Sequence, residues 1–254
     1  MANCGISFNS IDLSSVSPHF QLIDVQVGSP DVSVQAHDLG GTNGQAFGSR
    51  KYGARQISIL FDIQNSNERH RAEALTQLRY LLNTKAPGKF RSLAHGNRYL
   101  NVVCVTFPDA SALEWVEDLS IELLALDPFW YSDDEALAIP LATGDTPFYV
   151  DCTEEICPVI TQTLTSAVTD PTWTASNGQY IMLQGSVGPG ELVIDCTRQR
   201  ESITLDGADI LIQMALDSEF FRFAPRSPFT EDAPHVITTV NGAGGHMTAQ
   251  YRWL

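Results

Sequence analysis

From Leu119 to Ala125 the apolar residues Leu119, Ile121, Leu123 and Ala125 alternate with Ser120 and Glu122, and Asp127-Pro128 follows almost at once. Such alternation is the period of a half-buried strand, and proline cannot donate to a sheet ladder. A strand must therefore stop at about Asp127, near the middle of a 254-residue chain. Phe129, Trp130 and Tyr131 come next. Their large apolar faces predict a plug over the end of a sheet, and two readings of it stay open: a core cluster closing a domain, or a platform on which a ligand stacks. Packing is the commoner fate of buried aromatics.

The sequence before this stop reads as mainly β with one helix. The first twenty residues, with Ser14, Ser15, Ser17 and Pro18, predict an arm holding at most one short strand. Leu22, Val25, Val27, Val32 and Val34 mark two strands around Ser29-Pro30, and Gly40 to Gly44 with Gly48 predicts a flexible loop. That loop lacks the Gly-Lys-Ser/Thr of a phosphate cradle and leads into no helical pattern. Arg55 to Ile63 alternates cleanly at Ile57, Ile59, Phe61 and Ile63. A helix is then predicted over Glu68 to Asn83, capped by Asn65 with Glu68 in a capping box. Ala74, Leu75, Leu78, Leu81 and Leu82 form its apolar stripe, Glu68, Arg69, Arg71, Glu73, Gln77 and Arg79 its wet side, and Pro87-Gly88 blocks continuation. Lys89 to Leu93 and Arg98 to Phe107 predict a hairpin across His95-Gly96-Asn97, and Leu113 to Leu126 the final strand.

Beyond Tyr131 there is no helical pattern of ordinary length. Ser132 to Glu135 and Thr143 to Pro147 bracket a linker or crossing strand. Short apolar runs at Val159-Ile160, Tyr180 to Leu183, Leu192 to Ile194, Ile203 to Leu205, Ile210 to Leu216 and Val236 to Val240 are separated by turn signals such as Asn177-Gly178 and Asp206-Gly207. That rhythm predicts an antiparallel sandwich or jelly roll. The expected division is therefore residues 1–138, an α+β domain, and residues 139–254, an all-β domain.

The formal charge of −15 argues against nucleic acid as a general partner. Its distribution is uneven. From Arg50 to Asn101 there are ten bases against three acids, a net +7, which leaves −22 on the rest of the chain. Basic and acidic parts can pair within one subunit or between copies, or both can be solvated faces. No run approaches the roughly 18 apolar residues of a membrane helix, and Met1 to Gly5 has no signal-peptide character. The expectation is a soluble protein without a membrane partner. Five cysteines, Cys4, Cys104, Cys152, Cys157 and Cys196, are too sparse for a disulfide scaffold, and reduced thiols are expected.

No recognisable reaction centre emerges. The six histidines are scattered, with no metal spacing, and Cys152 and Cys157 lack a second pair to complete four ligands. Asp133, Asp134, Glu135, Glu154 and Glu155 are acids near the junction, but a glycosidase needs two carboxylates set about 5 to 9 Å apart across a cleft. There is no Gly-x-Ser-x-Gly elbow. The chain is not expected to be an enzyme or to carry a cofactor.

Arg55 to Ile63, the leucine-rich helix, the strand into Asp127 to Tyr131, Tyr180 to Gly185, Gly190 to Cys196, Ile203 to Gly207 and Ser218 to Phe223 together resemble, in order and spacing, the distal tail proteins of long-tailed bacteriophages. The likeness runs from about Phe20 to the C-terminus. It implies an N-terminal domain of β-sandwich or split-barrel type, with a helix and β-hairpin, that closes into a homo-hexameric ring, and a C-terminal galectin-like β-sandwich that projects outward. The implied partners are further copies of the chain, the tail tube protein and a tail-tip or tail-associated protein, with DNA only as cargo passing through the ring. The implied location is the virion tail tip, after assembly in the cytoplasm of the bacterial host. About 110 residues follow Gly144, room for one sandwich without an inserted sugar-binding module.

On that footing Arg50, Lys51, Arg55, Lys85, Lys89, Arg91 and Arg98 are the candidate interface to an acidic surface on a neighbouring copy or on the tail tube. Pro128, Phe129, Trp130 and Tyr131 become the seam between the two domains. The competing reading is a carbohydrate-binding sandwich for a bacterial surface glycan, with Trp173 as its stacking residue.

Overall fold

The computed structural model describes residues 5–17, 19–38, 45–64, 67–108, 119–198, 200–227, 233–241 and 245–254. The chain divides into two compact units, Met1–Trp130 and Tyr131–Leu254, so the break falls within the aromatic run.

The first unit runs through β1 (Ile6–Phe8), β2 (Ile11–Asp12), a one-turn helix α1 (Leu13–Val16), β3 (Phe20–Val27), β4 (Val32–Asp38), β5 (Gln45–Tyr52), β6 (Arg55–Ile63), helix α2 (Glu68–Leu82), β7 (Gly88–Ser92), β8 (Arg98–Thr106) and β9 (Leu119–Ala125). β6 is its backbone. It pairs antiparallel with β3 on one side and β9 on the other, and the ladder continues through β8, β7, β1 and β2. Ile57, Ile59, Phe61 and Ile63 are buried as their alternation requires.

Several expectations for this half are corrected. The N-terminal stretch is no loose arm, because Ile6, Phe8 and Leu13 are buried and β1 pairs with β7. The two strands expected around Ser29-Pro30 are present as β3 and β4, and β4 joins β5 in a separate two-stranded ribbon. Gly48, expected in a loop, lies inside β5, where an added Cβ would stand 2.9 Å from the His37 ring, while residues 40–44 lie outside the described residues. Asn65 also lies outside them. The cap of α2 is Asn67, whose side chain accepts from the Arg69 N–H at 3.0 Å. Arg71, expected on the wet side, is buried with Ala74, Leu75 and Leu78, to which it stands at helical i+3, i+4 and i+7 spacing. Of the strand expected from Leu113, residues 119–125 form β9 and residues 113–118 lie outside the described residues.

The second unit follows β10 (Trp130–Leu141), which begins on the aromatic run itself. Of the linker or crossing strand expected beyond Tyr131, the structure has the strand, twelve residues long. Next come β11 (Gly144–Phe148), β12 (Val159–Leu164), β13 (Val168–Thr169), β14 (Thr172–Ala175), β15 (Tyr180–Met182), β16 (Ser186–Val187), β17 (Gly190–Asp195), β18 (Ser202–Leu205), β19 (Ala208–Asp209), β20 (His235–Val240) and β21 (Gly245–Trp253). One sheet has the order β19-β18-β17-β12-β21-β10 and the other β11-β20-β14-β15, with β13 and β16 as a small ribbon. Ile160, Leu164, Leu192, Ile194 and Ile203 of the first sheet and Phe148, Trp173, Ile181 and Ile237 of the second are buried. Phe221 and Phe223 close this core, and Phe223 meets Phe148 edge-on at 4.9 Å. The strand expected over Ile210 to Leu216 is absent; a 3-10 turn, Leu211–Gln213, takes its place.

Gly88 is the tightest point of the first unit. A Cβ there would lie 2.1 Å from Cζ of the buried Phe8 ring, which occupies the space a side chain would take. Gly88→Ala is expected to cost about 1–3 kcal/mol through overpacking. A urea unfolding curve with an unmoved midpoint would contradict this packing.

Candidate assembly surface

β7 buries Gly88, Phe90 and Ser92 and therefore turns Lys89 and Arg91 outward. Tyr99 stands opposite Arg91 in the β7–β8 register. The Lys89 ammonium lies 4.2 Å and the Arg91 guanidinium 5.2 Å from the Tyr99 ring centre, and Arg91 Nη1 donates to the Asn97 carbonyl at 2.6 Å. Two cations thus lie against one aromatic ring, each such contact contributing about 0.5–1 kcal/mol. Arg98 is half-buried at the start of β8, and Lys85 is exposed in the turn after α2.

The β4–β5 ribbon carries the other outward bases. Arg50 lies 4.7 Å over the Tyr52 ring and Lys51 is exposed. Along the same ribbon Val32, Val34 and Phe47 are exposed, Phe47 by 70%. Among the described residues the ribbon pairs with no third strand. A lone two-stranded hairpin is marginal in water, so this one is suited to docking against another surface. Val32 and Val34 marked β4 in the sequence, but its partner β5 was missed because Gly48 and the glycines before it suggested a loop.

Arg55 is corrected from interface to interior. It is only 6% exposed, and its Nε donates to the Pro128 carbonyl at 3.0 Å. Its guanidinium lies 5.9 Å from the Trp130 ring centre, and His95 stacks on Trp130 at 4.0 Å with the rings 15° apart. Burial, and then the charges of Arg55 and Arg98, push the His95 pKa down, so the imidazole is held neutral. Phe129 meets Tyr52 edge-on at 5.6 Å. The aromatic run therefore packs within the first unit through Pro128, Phe129 and Trp130.

The residues considered for chemistry are mostly structural. Trp173 is wholly buried, which removes it as a glycan-stacking residue. Glu155 takes an ion pair from Arg198 at 3.1 Å, and its carbonyl accepts from Arg252 at 2.6 Å. Cys104, Cys152, Cys157 and Cys196 are free thiols, while Cys4 lies outside the described residues. Burial pushes Cys196 up to about 12 and raises Cys152 and Cys104, which makes them poor nucleophiles. Arg222 Nη1 donates to Cys157 Sγ at 3.3 Å and also pairs with Glu201. An open cavity of about 660 Å³ is lined by Asp151, Thr153, Arg226 and Trp253. No cluster of metal-binding side chains occurs among the described residues.

Two family descriptions match successive parts of the chain. Residues 6–125 match the phage tail protein RIFT-related domain, and residues 151–241 match the C-terminal domain of the siphovirus-type tail component. The chain belongs to the siphovirus-type tail component family. It is thus a component of a phage tail, with the β-rich two-domain fold of such proteins. The crystal structure of the SPP1 Dit (gp 19.1) protein is similar over 98% of this chain and 99% of that one, with a TM-score of 0.76 at 13% identity. Structures of the phage p2 baseplate in its activated conformation, with Sr and with Ca, are more distant. They have TM-scores of 0.45 and 0.46 at 8% identity, and cover 91% and 92% of this chain and 90% of each matched chain. No curated protein matches the sequence.

The neutral His95 makes stability pH-dependent with a definite sign. Its folded pKa lies below the ordinary 6.5, so the unfolded chain binds the extra proton first. The stabilisation is complete above about pH 6.5 and is lost as the pH falls below it. His95→Gln is expected to flatten this acid-side slope in denaturant titrations between pH 7 and 5, and a slope equal to that of the wild type would contradict the assignment.

Proposed function

We propose that this tail component is a structural hub: a homo-hexameric ring that joins the tail tube to the tail-tip and host-adhesion apparatus. The whole-chain likeness to SPP1 Dit carries the reading, since that protein is described as a paradigm of the hub adsorption apparatus in phages infecting Gram-positive hosts. In this reading residues 1–138 form the ring and residues 139–254 a galectin-like outer domain, with Pro128 to Tyr131 as the seam. The partners are other copies, the tail tube protein and a tail-associated tip protein, and DNA passes through without being read. The ring sits at the virion tail tip after assembly in the host cytoplasm, and the hub performs no catalysis.

Arg50, Lys51, Lys85, Lys89, Arg91 and Arg98 are the contact residues of this proposal. A ring needs two different, complementary patches on each copy. The second unit, with five bases and seventeen acids, has a net charge of −12, and the first unit has −3 despite its basic stretch. The glycan-binding alternative has lost Trp173, and no other observation favours it.

The triple variant Lys85→Glu, Lys89→Glu, Arg91→Glu is expected to weaken assembly at least about tenfold, roughly 1.4 kcal/mol. Sedimentation velocity at low and moderate salt reads this directly. A six-chain mass unchanged by the substitutions at both salts would overturn the electrostatic contact.

A further inference from the structure

Among the described residues β3 pairs only with β6, at one end of the first unit's sheet. Its other edge therefore offers a row of backbone N–H and C=O groups. Phe20, Leu22, Val25 and Val27 stand opposite Ile63, Phe61, Ile59 and Ile57, and so share the face of those buried side chains. All four are nevertheless only half-buried, because the apolar layer stops at β3. The reverse face carries Asp24 on β3, Asp62 on β6 and Glu122 on β9. The only base on these three strands is Arg55, which faces the core.

The β4–β5 ribbon is incomplete in a matching way. Val32, Val34 and Ala36 stand opposite Tyr52, Arg50 and Phe47 on one face, while Ser33, Gln35 and His37 stand opposite Lys51, Ser49 and Ala46 on the other. Val32, Val34, Ala36 and Phe47 are all exposed, so the first face is apolar and uncovered by its own chain. Gly48 is the extra residue where the ribbon's register shifts, which leaves residues 49–52 as the regular stretch of β5. The shift in β3 falls between Leu22 and Asp24, which leaves residues 24–27 regular there. Laid edge to edge, these two stretches match on both faces. The apolar side of the ribbon extends the Val25 and Val27 layer, and Lys51 comes to the side that holds Asp24.

We infer that residues 49–52 of β5 in one copy pair, strand to strand, with residues 24–27 of β3 in a second copy. Backbone hydrogen bonds then join the copies, and the alternation of side chains sets which faces align. The inference rests on the ring reading and places its contact within residues 1–138. Charge complementarity selects a second copy as the occupant: the acidic side of β3 asks for a base, and Lys51 supplies it from the same chain's own unpaired ribbon. The contact is heterologous, so each copy keeps one half free and the series closes into a ring or continues as a chain.

The test mixes two full-length variants, Lys51→Cys and Asp24→Cys, one of them isotope-labelled, and treats the mixture with a short bis-maleimide. Both positions are exposed. Lys51→Cys mixed with Ile212→Cys, an exposed position in the second unit, is the control. Mass spectrometry is expected to find the 51–24 linkage between chains at least about tenfold above the 51–212 linkage, as a fixed strand pairing requires. Lys51→Glu is expected to weaken assembly at least about threefold, and Lys51→Glu with Asp24→Lys in the same chain to restore it. Amide exchange at residues 24–27 is expected to slow at least about tenfold on assembly. Equal linkage yields, no linkage between chains, a charge swap without rescue, or exchange that assembly leaves unchanged would each overturn the inference. A six-chain particle that lacks the 51–24 linkage leaves the ring standing and removes this contact. An open ladder of 51–24 linked chains without a six-chain species keeps the contact and removes the ring.

Discussion

The first unit depends on one buried cation. Arg55 opens the central strand β6, and its guanidinium has been drawn out of water by the strands on either side. A buried charge of this kind is tolerable only with hydrogen-bond partners, and the Pro128 carbonyl provides one. Pro128 suits the task because its ring fixes φ just after β9 has ended. Trp130 then lies against both the Arg55 guanidinium and the His95 ring, all within the first unit.

Charge then separates what is used inside from what is offered outside. Seven bases formed one set in the sequence, yet burial divides them: Arg55 is spent on the fold, while Lys89 and Arg91 lie over Tyr99 on an outward face. Acids divide in the same way. Glu155 and Glu201 pair with Arg198 and Arg222, whereas Asp206, Asp209 and Asp217 face solvent. For a component whose work is to assemble, the second member of each division is the informative one.

Sequence alone made the regular elements legible wherever one physical period acted undisturbed. Ile57 to Ile63 and Leu119 to Ala125 face one core and alternate cleanly; Ala74 to Leu82 keep one helical stripe. Arg71 escaped because charge was weighted above position, although its spacing from Leu75 and Leu78 put it on the buried face. Ile210 to Leu216 reads as a strand by composition, but its carbonyls and N–H groups find partners on β15 and on residues just after it, and that choice is tertiary. Trp173 could not be placed as exposed or buried without knowing that β14 pairs with β20 in the centre of a sheet. The candidate surface was legible as an excess of cations, but its division into inner and outer members was not.

The pairing of β1 with β7 bears on how the protein comes off the ribosome. Ile6 and Phe8 are synthesised first, yet their strand partner, Gly88–Ser92, emerges some eighty residues later, and β6 must wait for Leu119–Ala125 to complete its second edge. Until then the nascent chain carries unburied apolar residues and an unpaired central strand, the conditions under which chains associate wrongly. The sheet of the first unit therefore cannot close until Leu119–Ala125 has been synthesised.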